Sequence, residues 1–587
     1  MRVWPRVMEE KMAANATGRG RLVLGLGAAA VLMVPAAALA IDGQIVDTAG
    51  KPVEQAMVTL GSAELALGAS TYTVFSGADG RYTLPAKATG ERLVVHKLGY
   101  APVTLTPTQA GKVTLAKSDN IAAQAPPSAW LPRTGVDDLA RANTVLQCTG
   151  CHQLPSEKMQ HYSQMLDGKS EAEKQVAWKA MINYMRVKFV QIGPDQSLYD
   201  PARMDFKNVL DPAAGFFDEN DEAQISSFLA KHLPTRFDTL AGFDYGAPLG
   251  VTEKTVMREI QLPQDSFVRE VGLTPESPYL WGADLQHNRL LRVDSRSGEQ
   301  KPYPVPYVGP TGPHTIIDTP QGDFWITMLE QGVVGRFDPK TEQWQLFDKF
   351  GKYEMAHDVA YNHQFYAMPD PAGRYWFTLI GSNRMARLDP TTGEVAFIET
   401  PRRGEQSALH AALYGAVITR DGKRVWFSQL SGGVGAVSTE TGKVDVYLPL
   451  PQGSGPRRMA LDDQDVLYVP MFGTGELLIY DSKTDKELGR VMMPDPNNAS
   501  YNAVWDPWRK VVWLGTSNAD VIYKFKPDDR SFEVFPLPSK MAYLRMITFD
   551  RRNGNLWTAY SNIPTGAGPS RFVMVDPGDG ITVGAAQ

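Results

Sequence analysis

Cysteine is almost absent from this chain. Among 587 residues there are two cysteines, and both lie in the pentapeptide Cys148-Thr149-Gly150-Cys151-His152. An exported domain that depends on disulfides carries many more, so a disulfide framework is excluded as the basis of the fold. The two thiols are expected to serve the chemistry of this one motif.

The chain also lacks a basic run and a strong charge imbalance. Its formal net charge is -6, and charged residues make up 21% of the sequence. No cluster of Lys and Arg predicts a nucleic-acid groove or a contact with an anionic membrane surface. Nucleic acid is therefore not an expected partner.

Long apolar runs are missing after residue 40. Before it, scattered basic residues precede an apolar run from Leu22 to Pro35, and Ala38-Leu39-Ala40 follows. This order is typical of a secretory signal peptide, so we expect residues 1–40 to be one, with a periplasmic mature chain. An uncleaved anchor is the alternative, because Leu22 to Ala40 approaches the roughly 20 apolar residues of a membrane span. The mature chain is expected to have no membrane span.

Glycine and proline, by contrast, are plentiful, at 52 and 42 residues. With 43% hydrophobic residues they indicate a globular, turn-rich protein that leans toward β structure. Because single cores stop growing near about 250–300 residues, this length predicts several domains. We expect a mostly β multidomain protein: a small β-sandwich, then a helical domain, then a seven-bladed β-propeller.

The sandwich is predicted at residues 41–118, where short alternating strands are separated by turns such as Asp79-Gly80. The segment resembles the carboxypeptidase regulatory-like, transthyretin-type domain, which implies a binding or spacer module without catalysis. The residues that match its pattern are Gly43, Asp47, Gly50, Pro52, Ala56, Asp79, Gly80, Tyr82, Gly99 and Tyr100.

Residues 119–136 are rich in Ala and Pro, as in Ala125-Pro126-Pro127, and predict a semi-rigid linker. Residues 137–236 then predict helices. The final helix has acidic residues at its start, Lys231 and His232 in its last turn and Pro234 as its stop.

The motif from Cys148 to His152 lies in this helical segment and predicts one covalently attached haem c. Its two thiols can add to the haem vinyl groups while the adjacent imidazole faces the iron. A Cys-x-x-Cys redox pair followed by an incidental His is the alternative. Such a pair is expected near a βαβ pattern, whereas this motif follows a predicted helix.

The helical segment resembles the class I cytochrome c domain, in its first helix running into the motif and in its last helix at residues 226–233. In one branch of that family a Trp precedes the axial Met by a helical stretch, and Trp178 to Met185 matches. The resemblance therefore implies His152 and Met185 as the iron ligands, a pair that raises the haem potential. Met204 is the main rival for Met185, with Met181 and His161 after it.

A repeat of about 45 residues runs through residues 250–580, the length of a four-stranded propeller blade. Each unit has an apolar strand with an aromatic residue, at Trp281, Trp325, Trp376, Trp426, Tyr468, Trp513 and Trp557. Seven units predict seven blades. The strand from Met257 to Leu262 is expected to complete the last blade, because ring closure removes exposed strand edges.

The repeats resemble the streptogramin B lyase (virginiamycin B lyase) group of propellers, most clearly from Gly312 to Thr327. The resemblance implies fold and superfamily rather than reaction. Lyases of that group use a His base and acidic residues that hold magnesium, often from a Phe-Thr-Glu strand end. Here the corresponding positions are Met328, Leu379, Gln429 and Met471, and Glu330 lies two residues beyond the first of them.

Polar residues are predicted to gather at one mouth of the propeller channel, where the innermost strands start. Aligned on the aromatics, these starts fall near Arg269, His314, Phe365, Tyr414, Arg458, Asn502 and Arg545. Neighbouring loops add His287, His357, His363, His410, Arg457, Tyr501, Tyr543 and Asp284. We take His314, His357, His410, Arg458 and Arg545 as candidate catalytic residues. The alternative is that these side chains only solvate the channel, and a divalent metal there lacks a supporting ligand set.

Three functions remain open on the sequence. The first is a haem-dependent oxidoreductase or electron-transfer protein whose propeller binds a small-molecule substrate or a redox partner protein. The second is a lyase or lactone hydrolase with an accessory haem. The third is a non-enzymatic redox scaffold that docks a partner dehydrogenase.

Overall fold

In a computed structural model the chain is mostly β, and its elements are described over residues 40–62, 65–192, 219–275, 277–351, 354–380, 382–401, 412–562, 566, 568–581 and 583. Side chains are described for all of these except residues 186–192 and 219–220. The predicted signal peptide lies outside them. Among the described helices, none is long and apolar enough to cross a bilayer.

The first part is a pair of small sheets packed on one apolar core that includes Ile45, Leu60 and Leu93. Its seven strands are β1 (Ile41–Asp47), β2 (Met57–Gly61), β3 (Ser70–Phe75), β4 (Arg81–Leu84), β5 (Arg92–His96), β6 (Val103–Leu105) and β7 (Lys112–Leu115). One sheet has the order β4-β1-β7 and the other contains β3-β2-β5-β6. Asp79 and Gly80 form the turn that leads into β4, as their sequence indicates.

The segment predicted to be a semi-rigid linker is packed instead. Ser128 and Trp130 are buried in a short 3-10 helix, Pro127–Trp130. The Ser128 amide donates to the Asn518 carbonyl at 3.0 Å, and the Trp130 ring meets Phe237 with centroids 5.0 Å apart. Its composition predicted a spacer. The segment is packed because burial of the aromatic and apolar side chains among its prolines is favourable.

The described residues that follow include four helices: α1 (Asp138–Cys148), α2 (Glu157–Gln164), α3 (Glu171–Ile192) and α4 (Glu219–His232). The Asp137 side chain accepts a hydrogen bond from the Ala140 amide and so caps the start of α1. Helix α4 ends with Lys231 and His232 in its last turn, as expected from the charges. Helices α3 and α4 pack against each other, and α1 packs on α4.

Seven four-stranded antiparallel blades make up the rest of the chain. The first three blades are β9 (Val268–Leu273), β10 (Tyr279–Asp284), β11 (Arg289–Asp294) and β12 (Gln300–Pro304); β13 (Pro313–Asp318), β14 (Phe324–Met328), β15 (Val334–Asp338) and β16 (Gln343–Phe347); and β17 (Ala356–Val359), β18 (Tyr375–Leu379), β19 (Arg384–Leu388) and β20 (Val395–Glu399).

The next three blades are β21 (Leu413–Ile418), β22 (Arg424–Gln429), β23 (Gly433–Ser438) and β24 (Val444–Pro449); β25 (Ala460–Leu461), β26 (Val466–Pro470), β27 (Glu476–Asp481) and β28 (Lys486–Met492); and β29 (Ser500–Asp506), β30 (Val511–Thr516), β31 (Val521–Lys526) and β32 (Ser531–Pro536). The last blade is formed by β33 (Leu544–Asp550), β34 (Asn555–Ser561), β35 (Ser570–Asp576) and β8 (Val256–Gln261).

The propeller ring closes as the sequence predicted. Strand β8 pairs antiparallel with β35, and the first strands of successive blades contact one another, including β33 with β9. All seven repeat aromatics lie on the second strands of their blades, and each is at least 95% buried between blades. The regular spacing of these large side chains is what made the blades visible in the sequence.

A feature the sequence did not indicate joins the sandwich to the propeller. The free edge of β8 pairs antiparallel with β3, so one eight-stranded sheet runs β33-β34-β35-β8-β3-β2-β5-β6. The Thr71 hydroxyl donates to the Glu259 carboxylate across this seam at 3.0 Å, and Arg571 on β35 binds the same carboxylate from the propeller side at 2.6 Å. The pairing covers the outer edge of the last blade, which would otherwise be an exposed template for association.

The third blade corrects one predicted position. Its innermost strand was expected to start near Phe365, with His357 in the preceding loop, but β17 itself contains His357. Residues 360–374 form a long connection between β17 and β18, and Phe365 lies in it with a positive φ of 60°. This connection displaces the aromatic of β18 from the usual repeat spacing, which shifted the alignment.

Candidate functional site

The motif from Cys148 to His152 begins at the last residue of α1 and continues in the turn after it. The thiols form no disulfide; Cys148 is buried and Cys151 is partly buried. Burial raises the pKa of Cys148 to about 12, and Cys151 adds to the effect. Burial also raises the pKa of Cys151, although Arg545 and Arg269 oppose that rise.

One hydrogen bond sets the tautomer of His152. Its Nδ1 lies 2.7 Å from the Gln153 carbonyl oxygen, which can only accept, so Nδ1 carries the proton and Nε2 is left with its lone pair. Burial lowers the pKa of His152, which favours the neutral ring. A neutral imidazole with a fixed Nδ1 proton is the form in which His binds metals.

The motif contacts the mouth of the propeller channel directly. The Tyr543 hydroxyl donates to the Thr149 carbonyl at 2.5 Å, and Arg545 Nη2 donates to the Gly150 carbonyl at 2.9 Å. Both donors belong to the start of the innermost strand of the last blade, at or next to β33. The helical segment therefore lies over the end of the channel where the sequence placed a substrate mouth.

Residues of the sixth blade form hydrogen bonds with the residues just after the motif. Gln153 Nε2 donates to Asp520 at 2.8 Å. The Leu154 amide donates to the Asn518 side chain at 2.7 Å, and Asn518 Nδ2 donates back to the Leu154 carbonyl at 3.1 Å. These buried polar groups leave little freedom in how the motif is placed.

Helix α1 packs closely against the mouth of the channel. Arg141 Nη1 donates to the Pro496 carbonyl at 2.9 Å. A Cβ on Gly455 would lie 2.3 Å from Leu146 Cδ1, and this residue also has a positive φ of 59°. Only glycine allows both the backbone conformation and the close approach of the helix.

An apolar cluster surrounds Cys148 and is shared by the helices and the propeller. Its buried members include Leu154, Met159, Trp178 and Ile182 from the helical segment, with Tyr414, Phe472 and Tyr501 from the blades. Met181 and Met185 are partly buried and pack against it. His161 is exposed on α2, and Met204 lies outside the described residues.

A charged network lies deeper in the channel around Arg458, which is fully buried. Its guanidinium pairs with Glu270 at 2.5 Å and with Asp358 at 3.3 Å, and it also donates to the Thr315 hydroxyl at 2.5 Å. Burial raises the pKa of Asp358 to about 7 even though Arg458 opposes this. Arg458 therefore balances two carboxylates and is fully occupied by the protein itself.

The two predicted histidines of the channel pack against each other with tilted rings. The ring centroids of His314 and His357 are 4.4 Å apart, and those of His357 and Tyr414 are 3.9 Å apart. His357 Nδ1 donates to the Tyr414 carbonyl at 2.9 Å. Burial lowers the pKa of both histidines well below the usual value, so they are neutral and poor proton acceptors at neutral pH.

The structure thus brings His314, His357, Arg458 and Arg545 to one end of the channel, while His410 lies outside the described residues. His287 lies at the rim of this end, paired with Asp284 at 3.0 Å. His363 does not belong there: it follows the far end of β17, where the carboxylates of Asp463 and Asp465 influence its pKa. Its misplacement follows from the shifted third blade.

Comparison with solved structures finds lyase propellers. The chain is similar to "Streptogramin B lyase structure" (17% identity, TM-score 0.46), with 55% of this chain and 97% of the other covered. It is also similar to virginiamycin B lyase from Staphylococcus aureus (16%, TM-score 0.45, 55% and 99% covered) and to an inactive variant of that enzyme with quinupristin (17%, TM-score 0.45, 55% and 99%). No protein-family model and no curated protein matches the chain. The propeller assignment rests on the seven sheets themselves.

Several residues of the site were not singled out as functional by the sequence. Glu270 follows the predicted strand start at Arg269 by one position, and Asp358 follows His357, which was placed in a loop. Tyr414, Tyr501 and Arg269 were predicted to lie at the mouth but were given no role. The hydroxyls of Tyr414 and Tyr501 hydrogen-bond to each other. The signal for Arg269 was present, because it occupies the same strand-start position in the first blade as Arg458 and Arg545 do in theirs.

Proposed function

We propose that this protein is an exported c-type haem protein, and that its propeller holds a small molecule or a redox partner protein with which the haem exchanges electrons. The observation that carries the proposal is the motif itself. Two unpaired thiols and a histidine with Nε2 free lie together, held against the propeller mouth by Tyr543 and Arg545.

The residues of the segment fit a covalently attached haem. Cys148 and Cys151 would form the thioether bonds, and His152 would hold the iron through Nε2. The apolar cluster around Trp178 and Ile182 would exclude water from the porphyrin face. Bound there, haem supplies one-electron transfer.

Met185 is proposed as the second axial ligand, since it packs on the cluster that contains Cys148. Met181 packs on the same cluster one helical turn earlier, so the two are compared directly in any test. The class I cytochrome c likeness of residues 137–236, the regulatory-like domain at 41–118 and the periplasmic location belong to the same proposal.

The test is production of the full chain in a bacterial host that matures c-type cytochromes in its periplasm. We expect the periplasmic protein to keep one haem after denaturation, seen by haem staining of a denaturing gel and by its reduced-minus-oxidised spectrum. Cys148→Ser with Cys151→Ser should abolish this signal, because both thioether bonds are then impossible. His161→Ala, a change at an exposed histidine on α2, serves as the control and should retain it.

A haem signal equal in the double variant and the parent would overturn the proposal. So would a parent protein that leaves maturation with two free thiols and no haem.

A further inference from the structure

Three arginines at the mouth are buried without a carboxylate partner. Arg269, Arg457 and Arg545 are 9%, 4% and 2% exposed. Arg269 makes no hydrogen bond or ion pair with the described residues. Arg457 and Arg545 donate only to carbonyl groups and to the Tyr543 hydroxyl.

The Nε atoms of all three arginines are buried and unsatisfied. Buried guanidinium groups in proteins are almost always paired, because an isolated buried charge is costly. These three are therefore an exception that the local fold does not explain.

The three arginines form one group with three tyrosines. The guanidinium of Arg545 lies 4.3 Å from the Tyr501 ring centroid and 4.4 Å from that of Tyr543. Arg457 lies 4.8 Å from the Tyr414 ring centroid. Arg269 and Arg545 are each the second residue of their strands, β9 and β33, and these two innermost strands contact each other, so the two guanidiniums belong to one site.

The guanidiniums at this end of the channel outnumber the carboxylates that contact them. Among the described residues, the three arginines above and Arg458 share two contacting carboxylates, Glu270 and Asp358, and both of these pair with Arg458. Burial alone would raise the pKa of Tyr501, but Arg545, Arg458 and Arg269 bring it below the usual value. The lowered pKa of Tyr501 is a further sign of the positive charge gathered at this end.

A haem propionate does not suit this position. The thioether bonds join the vinyl edge of the porphyrin, and the propionates leave the opposite edge. Arg545 donates to Gly150, which is the residue between the thioether positions on the Cys151 side. The arginine group would therefore lie on the thioether side of a haem attached at Cys148 and Cys151, which makes a separate anion the better match.

We propose that the propeller mouth binds a small organic monocarboxylate between Arg269 and Arg545, with its body against Tyr414, Tyr501 and Tyr543. The location beside haem rests on the proposed function, whereas the anion site rests on the arginines alone. A planar carboxylate matches the two-pronged guanidinium, and tyrosine rings match a flat organic body. Such a ligand would lie next to the haem edge, where a donor or acceptor of electrons is expected.

The test is calorimetric titration of the haem-loaded full chain with benzoate, its neutral isostere benzamide, and inorganic phosphate. We expect saturable benzoate binding and at least about tenfold weaker binding of benzamide, because charge-assisted hydrogen bonds are lost. Arg269→Gln should weaken benzoate binding by at least about tenfold. The matched control is Arg551→Gln, a buried arginine at the other end of the channel that pairs with Asp318, and it should change affinity by less than about twofold.

No benzoate binding, equal affinity for benzamide, unchanged affinity in Arg269→Gln, or tighter binding of phosphate would each overturn the inference. The comparison of benzoate with benzamide uses the unaltered chain, so it holds even where Arg269→Gln does not fold. A chain that leaves maturation without haem but binds benzoate would support the anion site and overturn the haem proposal. A chain that carries covalent haem but does not bind benzoate would support the haem proposal and overturn the anion site.

Discussion

The two ends of the propeller channel differ in how they accommodate buried arginines. At the end opposite the motif, Arg551 pairs with Asp318 at 2.7 Å and Arg509 with Asp506 at 2.8 Å, and the two arginine side chains are 9% and 4% exposed. At the motif end, Arg269, Arg457 and Arg545 contact no carboxylate within the described part of the chain. At the far end the protein's own carboxylates neutralise the arginines. At the motif end the arginines keep their positive charge, and this is where an anion is proposed to bind.

Arg458→Met should have the largest effect on stability. It removes the cation that balances Glu270 and Asp358, and breaking a buried pair from one side costs about 3–5 kcal/mol. Arg551→Met at the other end leaves only Asp318 without its cation and should cost less. Urea unfolding of both variants measures this, and a loss below about 1 kcal/mol for Arg458→Met would contradict the network described here.

The contact between α1 and the mouth is tested by Gly455→Ala. The added Cβ meets Leu146 and the backbone is left-handed, so we expect a loss of about 2–4 kcal/mol in the free energy of unfolding. Gly322→Ala is the matched control, since that glycine has a positive φ of 87° and open space around it. It should cost only about 1 kcal/mol. Equal losses would mean that the helix does not press on the mouth.

Arg269→Met should have the smallest effect and the opposite sign. Removing an unbalanced buried cation that makes no hydrogen bond is expected to leave the free energy of unfolding unchanged or to raise it by about 1 kcal/mol. Arg551→Met is again the comparison, because it removes a paired cation. If Arg269→Met destabilises the protein as much as Arg551→Met does, the two ends are alike and the contrast fails.

Much of this architecture could be predicted from the sequence because its signals are local and repeated. The aromatic residues of the second strands predicted all seven blades, and the strand that begins at Met257 predicted the closure of the propeller ring. His314, Arg458 and Arg545 could be placed at one mouth because strand starts converge in any propeller. The motif from Cys148 to His152 predicts covalent haem attachment from the sequence alone, and this stays a prediction.

The rest depends on contacts between residues distant in the chain. The β3–β8 pairing joins segments 188 residues apart, as in Thr71 and Glu259, and edge-strand pairing leaves no local pattern. The long connection after β17 shifted the alignment of the third blade, so His357 was predicted in a loop and not in the strand. The docking of Gly150 on Arg545 could not be predicted either, since two separate patterns, a helix end and a strand start, meet only in the folded chain.

The most direct measurement is the haem reduction potential of the Arg269→Met variant beside that of Arg551→Met. If haem sits on the motif at the cationic mouth, removing the Arg269 charge stabilises the oxidised form. For a separation on the order of 10 Å and an effective dielectric of about 20, the potential should fall by roughly 70 mV. Arg551→Met should leave it unchanged. Equal potentials in both variants and the parent, or a protein with no haem to titrate, would contradict the account.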